Sequence, residues 1–133
     1  MTQLTTFDRQ ITLPVSVEDA FAWHERAGAL DRLIPPWEDV KIHRRSTNGV
    51  RDGSRVELDN RVGPLRLRWI AEHHAYVQNR QFRDFQVSGP FAHWDHLHEF
   101  RSHGRTSSVM NDRVEYCIPG GRIGRVFAAN FVN

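Results

Sequence analysis

The chain has 133 residues, a formal net charge of +2 with histidine neutral, 39% hydrophobic and 26% charged residues. That is one domain's worth, residues 1–133, large enough to bury a core and too small for two ordinary domains. No stretch approaches the roughly 18 consecutive apolar residues that cross a bilayer, no apolar run follows the start MTQLTTFDRQ, and the single cysteine, Cys117, excludes an intrachain disulfide. The composition therefore predicts a cytoplasmic protein without a membrane span. Its basic residues are seventeen arginines and one lysine, scattered among acids, so no nucleic-acid partner is expected, because such binding needs a concentrated stripe of charge.

Thr5 to Leu13 alternates as a strand and stops at Pro14. Ser16 reads as an N-cap with Asp19 three residues on, and Val17, Ala20, Phe21 and His24 fall on one helical face. His24 reads as a helix-end histidine beside the C-terminal dipole. Ala27, Leu30, Leu33 and Ile34 predict a second short helix that Pro35-Pro36 ends. From Trp37 the helical period gives way to strands: Val40 to Arg44, then Ser54 to Arg61 after the turn residues Asn48-Gly49 and Asp52-Gly53, then Leu65 to Val77. In the last of these Leu65, Leu67, Trp69, Ala71 and His73 share a face, and Arg66 and Arg68 mark the other as outer.

The stretch from Arg80 to Arg101 reads as a hairpin, two aromatic-rich arms joined by Ser88-Gly89-Pro90. Its second arm puts Trp94, His96, His98 and Phe100 on one face. The face with Trp and Phe is the inner one, and it carries two histidines where a purely structural sheet would have Val and Leu. In the first arm alternation permits either Phe82, Asp84 and Gln86 or Phe85 and Val87 inside. The last strand, Thr106 to Tyr116, turns Asp112, Val114 and Tyr116 one way and Arg113 and Glu115 the other. Pro119-Gly120-Gly121 breaks the sheet, and a helix from about residue 122 would be only about 18 Å long at 1.5 Å per residue.

The expected class is α+β: a curved antiparallel sheet of six to seven strands wrapped on a C-terminal helix, with two short helices after the first strand. Several motifs carry a resemblance: Leu13-Pro14-Val15-Ser16 with the helix after it, Pro35-Pro36-Trp37, Gly63-Pro64-Leu65 running to His73, Phe82-x-Asp84, Ser88-Gly89-Pro90-Phe91, Trp94 to Phe100, and Asp112 to Tyr116 before Pro119-Gly120-Gly121. Together they resemble the START-like (SRPBCC) superfamily of helix-grip proteins, with its polyketide cyclase/dehydrase members, and within it a bacterial branch also seen joined to nucleotide-sugar-epimerase-like proteins. The resemblance covers nearly the whole chain. It implies a hydrophobic tunnel between sheet and C-terminal helix that takes lipids, polyketides or other apolar small molecules. It also favours the Phe82-Asp84-Gln86 phase.

On that phasing Trp69, His73, Phe82, Asp84, Gln86, Trp94, His96, His98, Asp112 and Tyr116 face the tunnel as candidate ligand-binding residues. Titratable groups on adjacent inward faces must hydrogen-bond one another, a ligand or water, so the set reads as a satisfied structural network, as the polar end of a ligand pocket, or as a His-Asp pair for dehydration or ring closure. A partner-dependent regulatory domain is a further class. Paired histidines at i, i+2 are no specific metal signature, and no metal or cofactor is expected. The Ser nucleophile elbow, the Walker loop and the dinucleotide fingerprint are missing from the sequence. The short terminal helix would leave Trp69, Phe82, Trp94, Phe100 and Val114 exposed. Either the chain is a truncated version of a longer relative, or a second copy covers the face as a homodimer, with Phe127, Phe131 and Val132 central to the interface.

Overall fold

The computed structural model describes residues 4–26, 40–45, 49–62 and 64–117. The elements are β1 (Thr5–Leu13), α1 (Val17–Glu25), β2 (Val40–Arg45), β3 (Arg55–Val62), β4 (Leu65–Val77), β5 (Gln81–Ser88), β6 (His93–Ser102) and β7 (Ser108–Cys117). They build an α+β fold around one 7-stranded sheet of order β1-β7-β6-β5-β4-β3-β2, in which every pairing is antiparallel. The second short helix, the terminal helix and the interface expected at Phe127, Phe131 and Val132 lie outside the described residues. Among the described residues no helix is long and apolar enough to cross a membrane.

α1 begins where the sequence places it. The Ser16 side chain accepts a hydrogen bond from the Asp19 backbone N–H at 3.2 Å, satisfying one of the donors that a helix start leaves orphaned. Val17, Ala20 and Phe21 are its buried residues, the stripe that the i, i+3, i+4 spacing demands. Phe21 is fully buried. Its ring meets Tyr76, Phe82 and Phe100 edge-on, at centroid distances of 5.6, 6.0 and 5.2 Å, the arrangement the ring quadrupole prefers.

α1 changes the expectation about uncovered apolar surface. Phe82 and Phe100 are buried, at 3% and 5% exposure, in the cluster centred on Phe21, and Val114 is buried as well. α1 thus covers the part of the inner face that carries Phe82 and Phe100. β1 is one place where apolar side chains stay exposed among the described residues: Phe7 and Ile11 stand opposite Val114 and Met110 and are 54% and 39% exposed.

A second departure is local. Strict alternation along β4 would bring Ala75 to the inner face after His73. The register shifts between His74 and Val77, and Ala75 adopts a left-handed φ of 54°, which an L-residue other than Gly, Asn or Asp rarely takes. Tyr76 therefore turns inward to join the Phe21 cluster, and its hydroxyl donates to Glu25 of α1. The bulge is held from both sides, because Asp52 accepts from the Tyr76 N–H at 2.9 Å and Gln81 donates to the Ala75 carbonyl at 3.0 Å.

Phe21 thus joins α1 to three strands. Replacing it with Ala removes a fully buried ring and leaves a cavity, so Phe21→Ala is expected to cost about 3–5 kcal/mol in urea denaturation. Ser16→Ala, which removes the cap alone, should cost about 1 kcal/mol.

Candidate functional site

Antiparallel partners directly opposite each other present their side chains on one face. Following the register across β4, β5, β6 and β7, one inward row runs His73, Asp84, His96 and Val114. The next row runs Phe82, His98 and Asp112, and reaches Arg9 on β1. Two rows of an ordinary sheet thereby bring two carboxylates and three imidazoles together. Phe82 is buried and Val87 exposed, so the first hairpin arm takes the Phe82-Asp84-Gln86 phase.

His98 is the centre. Its Nε2 lies 2.9 Å from Asp84 Oδ2, and its Nδ1 lies 3.1 Å from Asp112 Oδ1. A carboxylate can only accept, so donating to both requires a proton on each ring nitrogen, which makes His98 an imidazolium. Burial by itself would lower its pKa, but hydrogen bonds to Asp112 and Asp84 and their negative charges outweigh that and raise it to about 9. Burial likewise opposes ionisation of Asp84, yet the hydrogen bond and charge of His98, with His96 and His73 nearby, bring its pKa down to about 2. Asp112 is held well below the usual carboxylate range, against burial, by His96 and His98.

Packing supports this charge state. Phe82 stacks on His98 at 4.4 Å, placing an aromatic face against the cation, and His96 stacks on its neighbour at 3.8 Å. His96 Nε2 is 3.3 Å from Asp112 Oδ1, and Trp94 Nε1–H points at Asp84 Oδ1 from 3.4 Å. The four side chains Asp84, His96, His98 and Asp112 stay 16% to 21% exposed, so solutes can reach the cluster.

His73 is in the opposite state. Its Nδ1 is 3.0 Å from Ser54 Oγ, and Ser54 is 1% exposed. The serine hydroxyl lies 2.7 Å from both the Gly49 and Arg51 carbonyls, so its one hydrogen is committed to them and Oγ accepts from His73 Nδ1–H. Burial lowers the His73 pKa despite the charge of Asp84. The ring is thus neutral, and its Nε2 makes no hydrogen bond among the described residues. His24 lies in the last turn of α1, as its helix-end reading has it. Its Nδ1–H donates to the Ala20 carbonyl at 2.8 Å, its ring meets Phe100 edge-on at 5.1 Å, and burial lowers its pKa.

Beside the titratable rows stands an aromatic group. Phe91 is buried among Trp69, Trp94 and Tyr116, at centroid distances of 5.7, 4.8 and 6.0 Å. Gln86 is not available to a ligand in the way its phase suggested, because both ends of its amide are spent on the Phe91 backbone, at 2.7 and 3.1 Å. That clamp explains Gly89, where an added Cβ would come within 2.5 Å of the Gln86 side chain and 2.9 Å of Trp69. Phe91, Ser54 and Tyr76 escaped the sequence reading. Only Phe91 carried a signal, its place directly after Gly89-Pro90.

Asp84, His96 and His98 each offer one metal-ligating atom, and these atoms lie within 4.8 Å of one another. On the outer face a depression of about 400 Å³, lined in part by His74, Phe85 and Asp95, shares only Gln86 and Trp94 with the candidate set.

The charge states have a pH signature. The folded pKa of His98 is raised from an ordinary 6.5 to about 9, so its contribution is complete below pH 6.5 and is lost as pH rises through 9. Lowered pKa values at His73 and His24 act in the other direction, contributing above 6.5 and fading below it. The window from 6.5 to 9 therefore isolates His98. Thermal melts should show Tm falling across that window, and His98→Gln should flatten the slope. Asp84, lowered from 3.8 to about 2, adds a loss on the acid side as pH falls through 2.

Residues 13–132 match the model of a family described as polyketide cyclase/dehydrase and lipid transport. No curated protein sequence matches the chain. Among solved structures, a norcoclaurine synthase from Thalictrum flavum, a point mutant in complex with a transition-state analogue, superposes with a TM-score of 0.73 at 12% identity, over 97% of this chain and 84% of that one. A START superfamily protein from Mycobacterium smegmatis gives 0.64 at 14% identity, over 93% and 87%. An aromatase/cyclase from a Streptomyces species gives 0.71 at 11%, over 96% and 84%. Identities this low carry the fold alone, and that fold is the helix-grip α+β fold. On the family match, the chain belongs to the polyketide cyclase/dehydrase and lipid transport family of the START-like superfamily.

Proposed function

We propose that the chain is a single ligand-binding domain that holds a hydrophobic small molecule, a lipid, polyketide or aromatic, against the inner face of the sheet. Trp69, Phe91, Trp94 and Tyr116 supply the apolar wall, and His73, Asp84, His96 and His98 fix the polar end. The observation that carries this reading is the contiguity of the two groups: Trp94 belongs to the aromatic cluster and also points its indole N–H at Asp84. Apolar walls with a few convergent polar groups are how small-molecule sites are built. The fold class is compatible with such occupants, since a norcoclaurine synthase of TM-score 0.70 and 13% identity was solved in complex with dopamine and hydroxybenzaldehyde.

One observation favours a second reading, a cyclase- or dehydratase-like enzyme. The imidazolium His98 has no lone pair to act as a base, whereas neutral His73, on the neighbouring strand beside Asp84, keeps Nε2 available. A base and a cation on one face are the components of general acid-base chemistry. In that case His73→Gln should abolish turnover while leaving ligand affinity within a few-fold.

Native mass spectrometry of freshly purified protein and displacement of a fluorescent fatty acid test the binding reading. A bound probe is expected, with Trp94→Ala weakening it about tenfold, equivalent to about 1.4 kcal/mol. If neither method detects binding above background, the histidine-aspartate network is structural.

A further inference from the structure

We infer that Asp84, His96 and His98 form a binding site for a divalent transition-metal ion of the zinc type, with Asp112 and Trp94 as the groups that orient its ligands. The inference goes beyond the binding of an organic ligand, at residues that also form the polar end of that proposed site.

The donor set is the first reason. Two imidazoles and a carboxylate are the ligand types that suit Zn²⁺ and its first-row neighbours. The sheet delivers them without special loops: Asp84 and His96 are directly opposite on β5 and β6, and His98 follows at i+2 on the same face. Their donor atoms lie within 4.8 Å of one another, and the closest pair, Asp84 Oδ2 and His98 Nε2, is 2.9 Å apart. Metal–ligand bonds of about 2.0–2.1 Å place tetrahedral donors about 3.3 Å apart, so no separation has to close by more than about 1.5 Å.

The outward contacts are the second reason. Ligating histidines usually donate their other ring N–H to a carboxylate, and ligating carboxylates are themselves hydrogen-bonded. His98 already presents Nδ1–H to Asp112 Oδ1 at 3.1 Å while Nε2 faces Asp84. Asp84 already receives the Trp94 indole N–H on Oδ1, leaving Oδ2 for the site.

Charge is the third: the carboxylates of Asp84 and Asp112 balance the +2 of a divalent ion bound by neutral imidazoles. On binding, the ion takes the place of the hydrogen between His98 Nε2 and Asp84 Oδ2, which leaves to solvent as a proton. Three protein ligands leave a coordination position open, the pattern of sites that bind water or substrate at the metal.

The test uses the full chain stripped with a chelator, loaded with Zn²⁺ and measured by plasma mass spectrometry after dialysis, with Co²⁺ absorption reporting coordination. One equivalent is expected in the wild type and in His93→Ala, an exposed control. Asp84→Asn, which preserves shape, and His98→Gln should lose it, and Asp112→Asn should bind about 10–100-fold more weakly. Circular dichroism establishes which variants fold; should His98→Gln fail to fold, Asp84→Asn decides alone. Sub-stoichiometric uptake by the wild type, or wild-type affinity in folded Asp84→Asn or His98→Gln, overturns the site. Because no organic ligand is present, that failure leaves the ligand-binding reading intact.

Discussion

The inner face of this sheet depends on His98 being held between two carboxylates. A lone charge moved into a partly buried aromatic surface costs several kcal/mol unless a partner offsets it, and here three charged groups offset one another across adjacent strands. The arrangement also constrains the fold. A slip of one residue between β5 and β6, or between β6 and β7, would turn one carboxylate to the opposite face from His98 and break one of the two contacts that hold it. Register in the middle of the sheet is therefore specified by electrostatics as well as by the aromatic pattern.

The apolar residues around the triad divide into two groups. On one side α1 drives Phe21 into Tyr76, Phe82 and Phe100. On the other, Phe91 gathers Trp69, Trp94 and Tyr116. Phe82 links the stabilising cluster to the site, because one face of its ring stacks on His98 while the ring also meets Phe21 edge-on. The bulge at Ala75 has a similar double effect: it brings Tyr76 to the helix-side cluster and leaves His73 beside Asp84.

Identical side chains acquire different chemistry here from their partners alone. Two carboxylates make His98 a cation, whereas burial keeps His73 neutral and a serine whose hydrogen is already committed fixes its proton on Nδ1. Family membership fixes the architecture and the broad range of roles, ligand binding or cyclase-type chemistry. Which of these a member performs depends on side chains such as these.

The primary structure by itself determined the strand pattern, the capped helix at Ser16 and the inward face of β6, because alternation, a cap and turn residues are local signals whose physics acts within a few positions. The choice between Phe82-Asp84-Gln86 and Phe85-Val87 was already beyond alternation and came from the family's motifs. Only tertiary structure decided that Asp84 and Asp112 both close on His98, that Ser54 pairs with His73 across nineteen positions, and that Gln86 is spent on the Phe91 backbone. The left-handed turn at Ala75 was equally illegible, since nothing about an alanine announces a positive φ. These features depend on cross-strand register and on which acceptors are already satisfied, quantities that exist only once distant segments have been brought together.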